Sequence, residues 1–300
     1  MLLTEDSVPQ EQWLDGKGGL KIFTRHWRPA GEPKAALVIC HGVNSHSGQY
    51  LRAAAEFAAA GFAVTALDLR GRGRSEGERF HVEDVADYVS DLSQTIELAK
   101  SHDPGLPCFL LGHSAGGVIS VTYTLDHQDR LAGLICESFA FHVFAPDFAL
   151  TLLKGASHIL PDLPALKLKM KDFSRDPAWV AELLADPYTL DETQPVETVA
   201  ALVRAGDRMA KEFGTITLPV LIMHGTADKA TRPDGSQEFF DHAGSADKQL
   251  ILYDDYFHDL LNDLGRERVM ADIIGWIDAR LPAGQTAGEA TVQGAEGGSP

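Results

Sequence analysis

The sequence predicts an α/β protein with a mostly parallel central sheet, helices on both of its faces, and an inserted helical segment. Short apolar runs alternate with amphipathic helical stretches along most of the chain. The apolar runs are continuous, as in strands buried on both faces of a parallel sheet, and polar or glycine-rich loops follow them. The alternation stops between residues 139 and 217, where proline recurs and no strand pattern is clear.

The expected elements follow in chain order. An antiparallel hairpin is expected at residues 11–28, and strands are expected at residues 35–40, 62–67, 108–113, 131–136, 220–224 and 249–253. Helices are expected at residues 50–60, 82–100, 115–126, 234–243 and 266–281. Because ligands of such sheets bind beyond the carboxyl ends of the strands, the loops at that edge are the candidates for a functional site.

These elements predict two structural units and a tail. Residues 1–138 and 218–281 are expected to form the sheet core, and residues 139–217 a helical cap inserted over the strand ends. We call residues 139–217 the insertion. Residues 282–300 are rich in glycine and alanine and predict a disordered tail.

The composition limits the classes of partner. With 26 basic and 43 acidic residues, the formal net charge of −17 disfavours nucleic acid and strongly anionic membranes. Cys40, Cys108 and Cys136 lie in or beside apolar runs and predict buried thiols in a reducing compartment. The chain shows neither a signal-peptide pattern nor an apolar run of the ~20 residues that a membrane span needs. A cytoplasmic protein is therefore expected, whereas the oligomeric state is not fixed by the sequence.

The candidate nucleophile is Ser114, in the stretch Gly112-His-Ser-Ala-Gly-Gly117 between an apolar run and a helical pattern. A strand that turns sharply into a helix would leave the Ser114 hydroxyl projecting from the turn, and the small residues would allow the close approach. The pattern Gly-x-Ser-x-Gly is a weak signal alone, since an ordinary loop with a serine also matches it.

A serine hydroxyl needs an imidazole base, and that imidazole needs a carboxylate to orient it. His258 follows the last predicted strand, and Asp228 follows the preceding one. The chain order Ser114, Asp228, His258 fits this architecture. Glu137 is an alternative carboxylate, whereas the acidic residues beside His258, at positions 254, 255 and 259, are too local to orient its far nitrogen.

An oxyanion needs two backbone donors. The amide of Ala115 follows the serine at a helix N-terminus, and Val43 is the second candidate, in the loop after the strand at residues 35–40. His41 and His46 in that loop have no clustered third ligand, so no metal site is predicted there. The spacing of Gly71, Gly73 and Gly77 misses the dinucleotide-binding pattern and predicts a structural turn.

Taken together, five ordered motifs resemble the serine α/β-hydrolases, and most closely their monoacylglycerol lipase and lysophospholipase group. The motifs are His41-Gly42 with His46-Ser-Gly-Gln-Tyr50, Asp68-x-x-Gly-x-Gly-x-Ser-Glu-Gly77, Gly112-His-Ser-Ala-Gly-Gly117, His224-Gly-Thr-Ala-Asp228 and His258-Asp-Leu-Leu-Asn262. The resemblance spans roughly residues 20–280. The chain departs from the family pattern at Asn44, Arg72 and Ala115, where glycine, histidine and methionine are usual.

The resemblance implies a Ser114–Asp228–His258 triad, an oxyanion hole at Val43 and Ala115, and no cofactor or metal. It implies hydrolysis of monoacylglycerols or similar medium-to-long acyl esters. A lysophospholipase, a short-chain esterase, an acyltransferase or a non-catalytic ligand-binding protein of the same fold are the alternatives. Phe139, Phe144, Phe148 and Leu152 form part of an apolar cluster at the start of the insertion. This cluster fits either core packing or an acyl-chain channel with transient, peripheral contact to a lipid surface.

Overall fold

A computed structural model describes residues 8–282, and the expected tail lies outside the described residues from position 283 onward. The strands are β1 (Gln10–Asp15), β2 (Lys21–Trp27), β3 (Ala35–Cys40), β4 (Phe62–Leu67), β5 (Cys108–His113), β6 (Gly133–Glu137), β7 (Pro164–Leu166), β8 (Gln194–Pro195), β9 (Val220–Gly225) and β10 (Lys248–Tyr253). The helices are α1 (Leu51–Ala59), α2 (Val85–His102), α3 (Ala115–His127), α4 (Asp147–Ala156), α5 (Pro177–Ala185), α6 (Val196–Glu212), α7 (Pro233–His242) and α8 (Arg266–Asp278).

Eight strands form one sheet in the order β1-β2-β4-β3-β5-β6-β9-β10. The strands from β4 to β10 in that order run parallel, and β1 and β2 extend the sheet as an antiparallel edge. The predicted fold class is therefore confirmed. The parallel strands end on one edge, and their loops bring distant parts of the chain together.

Both faces of the sheet are covered by helices. Along β3, Ala36, Val38 and Cys40 pack into a core with α2, α3, α6 and α7. The alternate residues of β3, such as Leu37 and Ile39, pack into a second core with α1 and α8. This double burial explains why β3 is a continuous apolar run instead of an alternating one. The three cysteines are buried and free, as expected.

Between β6 and β9 the chain forms α4, α5 and α6, together with one short strand pair that the sequence does not predict. In this pair, β7 and β8 run antiparallel, and Pro164 lies opposite Pro195. Proline cannot donate to a ladder, so the pair stays short and leaves no strand-like pattern in the sequence. In the part of the chain that the structure describes, no helix is both long and apolar enough to cross a membrane.

Candidate active site

Ser114 is the single residue between β5 and α3, at the carboxyl edge of the sheet. Its backbone has φ 56° and ψ −121°, a conformation that is strained for a residue with a side chain. The Ser114 amide donates to the carbonyl oxygen of Glu137 at 2.9 Å, which ties the turn to the neighbouring strand. The predicted sharp strand-to-helix turn is thus present.

Glycines permit this turn because the backbone of α3 lies against two strands. A Cβ at Gly112 would lie 2.6 Å from the carbonyl oxygen of Gly116, and one at Gly116 would lie 2.1 Å from that of Cys40. Any side chain at these positions would push α3 away from the sheet. The small residues on both sides of Ser114 therefore serve the close approach that the sequence predicts.

His258 and Asp228 meet as predicted, although they lie 30 positions apart. Nδ1 of His258 lies 2.7 Å from Oδ2 of Asp228, and both side chains are fully buried. Among the described residues, Nε2 of His258 has no hydrogen-bond partner. The imidazole is therefore held through one nitrogen, while the other is available for proton transfer.

Asp228 accepts hydrogen bonds at both of its oxygens. Oδ1 accepts from the amides of Ala230 at 2.7 Å and Thr231 at 3.0 Å, and Oδ2 accepts from the Thr231 hydroxyl at 2.9 Å. Burial by itself would raise the pKa of Asp228, but His258 and His224 hold that pKa well below its usual range. The carboxylate is thus ionised beside His258 and can stabilise an imidazolium.

His224 is a second histidine on Asp228, and sequence reasoning assigned it no role. Its Nε2 lies 3.1 Å from Oδ2 of Asp228, and its Nδ1 lies 2.7 Å from Oγ of Ser236. The sequence feature that could have indicated this contact is the four-residue spacing of His224 and Asp228. That spacing predicts a contact only once the end of β9 and the following turn are known.

The two candidate oxyanion donors face each other, with Val43 in the loop after β3 and Ala115 at the N-terminus of α3. Gly42 packs so closely on the serine turn that a Cβ there would lie 3.3 Å from the Ala115 amide nitrogen. Within residues 8–282, neither the Val43 nor the Ala115 amide donates a hydrogen bond to another residue. Both amides are therefore available to a ligand atom.

His41 fixes the peptide that carries the Val43 amide. Its Nε2 accepts a hydrogen bond from the amide of Leu69 at 2.9 Å, so the proton of the neutral ring is on Nδ1. Nδ1 then donates to the carbonyl oxygen of Gly42 at 2.7 Å. Burial holds the pKa of His41 well below its usual value, which keeps this tautomer neutral. Since a trans peptide directs its N–H opposite to its C=O, this bond orients the Val43 amide.

Glu137, the alternative carboxylate, makes no hydrogen bond with the ring of His258 in the described chain, where Asp228 is the carboxylate on Nδ1. Glu137 lies in a fully buried group with His113 and Asp259, whose candidate ligand atoms are within 4.8 Å of one another. Oε1 of Glu137 accepts from the amide of Leu261 at 3.1 Å, and Oε2 has no partner in the described chain. Burial and Asp259 raise the pKa of Glu137 well above its usual value, which favours its protonated form. These are the only described residues that cluster as potential metal ligands.

The four predicted substrate-binding side chains do not share one surface. Phe139 is fully buried, with its ring near those of Phe141 and Phe239, so its contacts are those of a core residue. Phe144, Phe148 and Leu152 are 63%, 69% and 69% exposed at the start of the insertion. Phe148 and Leu152 lie on the exposed face of α4 and Phe144 precedes that helix, whereas Phe139 belongs to the core, so the predicted cluster divides between two environments.

The sheet, the turn at Ser114 and the buried His258–Asp228 pair define a serine hydrolase of the α/β-hydrolase fold. Residues 31–265 match the model of the Hydrolase_4 family, described as serine aminopeptidase, S33. The chain belongs to this family.

Named relatives cover nearly the whole chain. A monoacylglycerol lipase of Mycolicibacterium smegmatis is 31% identical over 92% of this chain and 99% of its own length. A monoglyceride lipase of Homo sapiens is 31% identical over 95% of this chain and 96% of its own. The solved structure of a Paleococcus ferrophilus monoacylglycerol lipase superposes with a TM-score of 0.78 at 28% identity, covering 86% of this chain and 99% of that one.

Proposed function

We propose that this chain hydrolyses monoacylglycerols or similar medium-to-long acyl esters through an acyl-enzyme on Ser114. The Ser114 hydroxyl attacks the ester carbonyl, and Nε2 of His258 takes its proton and returns it to the leaving alcohol. Water then attacks the acyl-enzyme by the same route and releases the acid. The amides of Val43 and Ala115 donate to the oxyanion of each tetrahedral intermediate.

The observation that carries this proposal is the 2.7 Å contact between His258 and Asp228. It orients a buried imidazole whose Nε2 has no partner in residues 8–282. Serine hydrolysis needs a base in that state and a serine on a sharp turn. The chemistry needs neither a cofactor nor a metal, because the proton moves between side chains and backbone amides stabilise the negative charge of the oxyanion.

The relatives support an ester as the substrate. The family description names an aminopeptidase, whereas the two relatives at 31% identity are named as lipases of monoacylglycerol or monoglyceride.

The insertion serves, in this proposal, as a cap that meets the lipid. Large apolar side chains are exposed just before, on and after α4, at Phe144, Phe148, Leu152, Ile159, Leu160 and Leu163. An exposed apolar surface of this kind is typical of contact with a lipid or a protein. With a net charge of −17, the chain fits a neutral or zwitterionic lipid surface better than a strongly anionic one.

An ester panel tests the function. Purified protein and a Ser114→Ala variant are assayed on p-nitrophenyl esters of increasing chain length, monoacylglycerol, lysophosphatidylcholine and an aminoacyl p-nitroanilide. We expect the highest kcat/KM on monoacylglycerol or a medium-to-long ester and loss of turnover in the variant. Undiminished turnover by Ser114→Ala would contradict the proposed mechanism. A preference for the anilide or the lysophospholipid would contradict the proposed substrate class. Folded wild-type protein that neither turns over esters nor reacts with a fluorophosphonate is a binding protein.

A further inference from the structure

The oxyanion loop has a second anchor, and it comes from the insertion. Oε1 of Glu192 accepts a hydrogen bond from the amide of Asn44 at 2.8 Å. Asn44 directly follows Val43, and Glu192 lies 148 positions further along the chain. Both side chains are buried. The insertion thus contacts the backbone of the loop that carries a candidate oxyanion donor.

The same oxygen of Glu192 is held from the other side by the core. Arg72 Nη1 donates to Oε1 of Glu192, and Arg72 Nη2 donates to Oε1 of Gln194 at 2.6 Å. Gln194 Nε2 also donates to Oε1 of Glu192 at 2.5 Å. Since the side chains of Arg72 and Glu192 are only 1% exposed each, this ion pair has little freedom to shift.

We propose that Glu192 is a positioning residue for the oxyanion hole and that it acts through the Asn44 amide. This inference rests on the proposed function of the Val43 amide as an oxyanion donor. Asn44 adopts a positive φ of 54°, in the left-handed region that an asparagine tolerates at modest cost. Its bond to Glu192 helps to hold it there.

Two anchors then flank the donor. His41 holds the carbonyl oxygen of Gly42 on one side of Val43, and Glu192 holds the amide of Asn44 on the other. With both neighbouring peptides fixed, the Val43 amide has little freedom to rotate away from the reacting carbonyl. Donors that are held in place before the reaction stabilise an oxyanion most strongly, because no free energy is spent on reorienting them during the reaction.

The test compares two conservative variants with opposite properties. Glu192→Gln keeps the length of the side chain and an acceptor oxygen for the Asn44 amide but loses the charge that pairs with Arg72. Glu192→Asp keeps the charge but is one methylene too short to reach the amide. We expect Glu192→Asp to lower kcat about 10- to 100-fold, which is less than the ~10²–10³-fold cost of deleting an oxyanion donor. We expect Glu192→Gln to lower kcat by about fivefold or less.

Three readouts separate positioning from stability. The first is kcat and KM on a soluble p-nitrophenyl ester, with active sites counted by fluorophosphonate labelling. The second is the inhibition constant of a trifluoromethyl ketone, whose hemiketal oxyanion occupies the hole. The third is Tm. We expect Glu192→Asp to weaken binding of the ketone by the same factor by which it lowers kcat, and to change KM by no more than about twofold.

The control removes a different ion pair between the insertion and the core. Arg208→Gln in α6 breaks the bidentate contact with Asp126 in α3, which is remote from the loop. We expect it to change Tm without changing kcat per active site. If Glu192→Asp retains a higher kcat than Glu192→Gln, or if both variants change only Tm, Glu192 merely docks the insertion and the proposal is wrong. If no variant or wild type turns over esters, the proposed function fails, while the ketone affinities still rank the variants.

Discussion

Gly42 lies so close to Ser114 that a Cβ on the glycine would come within 2.9 Å of the serine Cβ. The same added carbon would lie 3.0 Å from the carbonyl oxygen of His113. The loop with one candidate oxyanion donor is therefore packed directly on the turn with the candidate nucleophile.

Gly42→Ala should reduce both activity and stability. The methyl group forces the two loops apart, which displaces the Val43 amide; we expect kcat to fall about 100-fold, as when a donor is lost. Overpacking of this kind destabilises by roughly 1–3 kcal/mol. Ester turnover per labelled active site and thermal unfolding measure the two effects.

The matched control is Gly275→Ala in α8. Gly275 is exposed, and a Cβ there meets nothing within 4 Å among the described atoms. Because glycine is about 1 kcal/mol less favourable than alanine inside a helix, we expect a small rise in Tm and unchanged turnover. Equal turnover in both variants would contradict the close packing of the loops.

Asp228→Asn should lower kcat about 10⁴-fold with little change in KM. An amide that donates to Nδ1 of His258 favours the tautomer whose Nε2 carries the proton, and that nitrogen then no longer accepts one from Ser114. The buried site also loses the negative charge that faces the imidazolium. Steady-state kinetics test this prediction, and a loss of less than tenfold would rule out Asp228 as the orienting carboxylate.

Glu137→Gln should flatten the dependence of stability on pH. Burial raises the pKa of Asp259 to about 6, and burial together with Asp259 raises that of Glu137 well above its usual value. Between the unfolded-state pKa values near ~4 and these raised values, the folded state binds more protons than the unfolded one. The contribution of these two carboxyl groups to the stability of the wild type therefore falls as pH rises from about 4 through 6 and beyond.

A glutamine at position 137 stays neutral at every pH and removes the repulsion from Asp259. We expect the Tm of Glu137→Gln to exceed that of the wild type by more at pH 8 than at pH 5. Glu267→Gln is the control, because the Glu267 side chain is 75% exposed. If both variants show the wild-type pH dependence, Glu137 does not hold the proton.

A double variant, Phe148→Ser with Leu152→Ser, should separate lipid contact from chemistry. Burying one large apolar side chain contributes about 1.5–3 kcal/mol, so losing two should weaken binding to phosphatidylcholine vesicles at least about tenfold. Turnover of a soluble short-chain ester should stay the same. Leu252→Ser, at the 44% exposed position on the edge strand β10, is the control. Unchanged vesicle binding in the double variant would exclude this face of α4 as the lipid contact.

Much of this architecture was predictable from local patterns. Double burial makes the parallel strands continuous apolar runs, and His258 and Asp228 each follow such a run, so their meeting could be expected from topology alone. The glycines around Ser114 could be interpreted in the same way, because a close backbone approach requires them.

Contacts made across the insertion were not predictable. The pairing of Arg72 with Glu192 joins residues 120 positions apart, and no sequence pattern links them. The Glu137–Asp259 pair depends on which side chains face inward at the end of β6 and in the loop after β10. Phe139 shows the same limit, since an aromatic residue at the start of the insertion has the same pattern whether it faces the core or the solvent.

The polar contacts between the insertion and the core restrict how this enzyme can be re-engineered. Asp186 bonds His46, and Trp179 bonds Asp259, each at 2.8 Å. With the Glu192–Asn44 contact, each joins the insertion to a loop that carries or adjoins a candidate site residue. A chimera with the insertion of another hydrolase would change its specificity and would also lose these contacts to the loops of the site. The new insertion would also need side chains that reproduce these contacts, so substrate range and catalytic competence cannot be varied as separate modules.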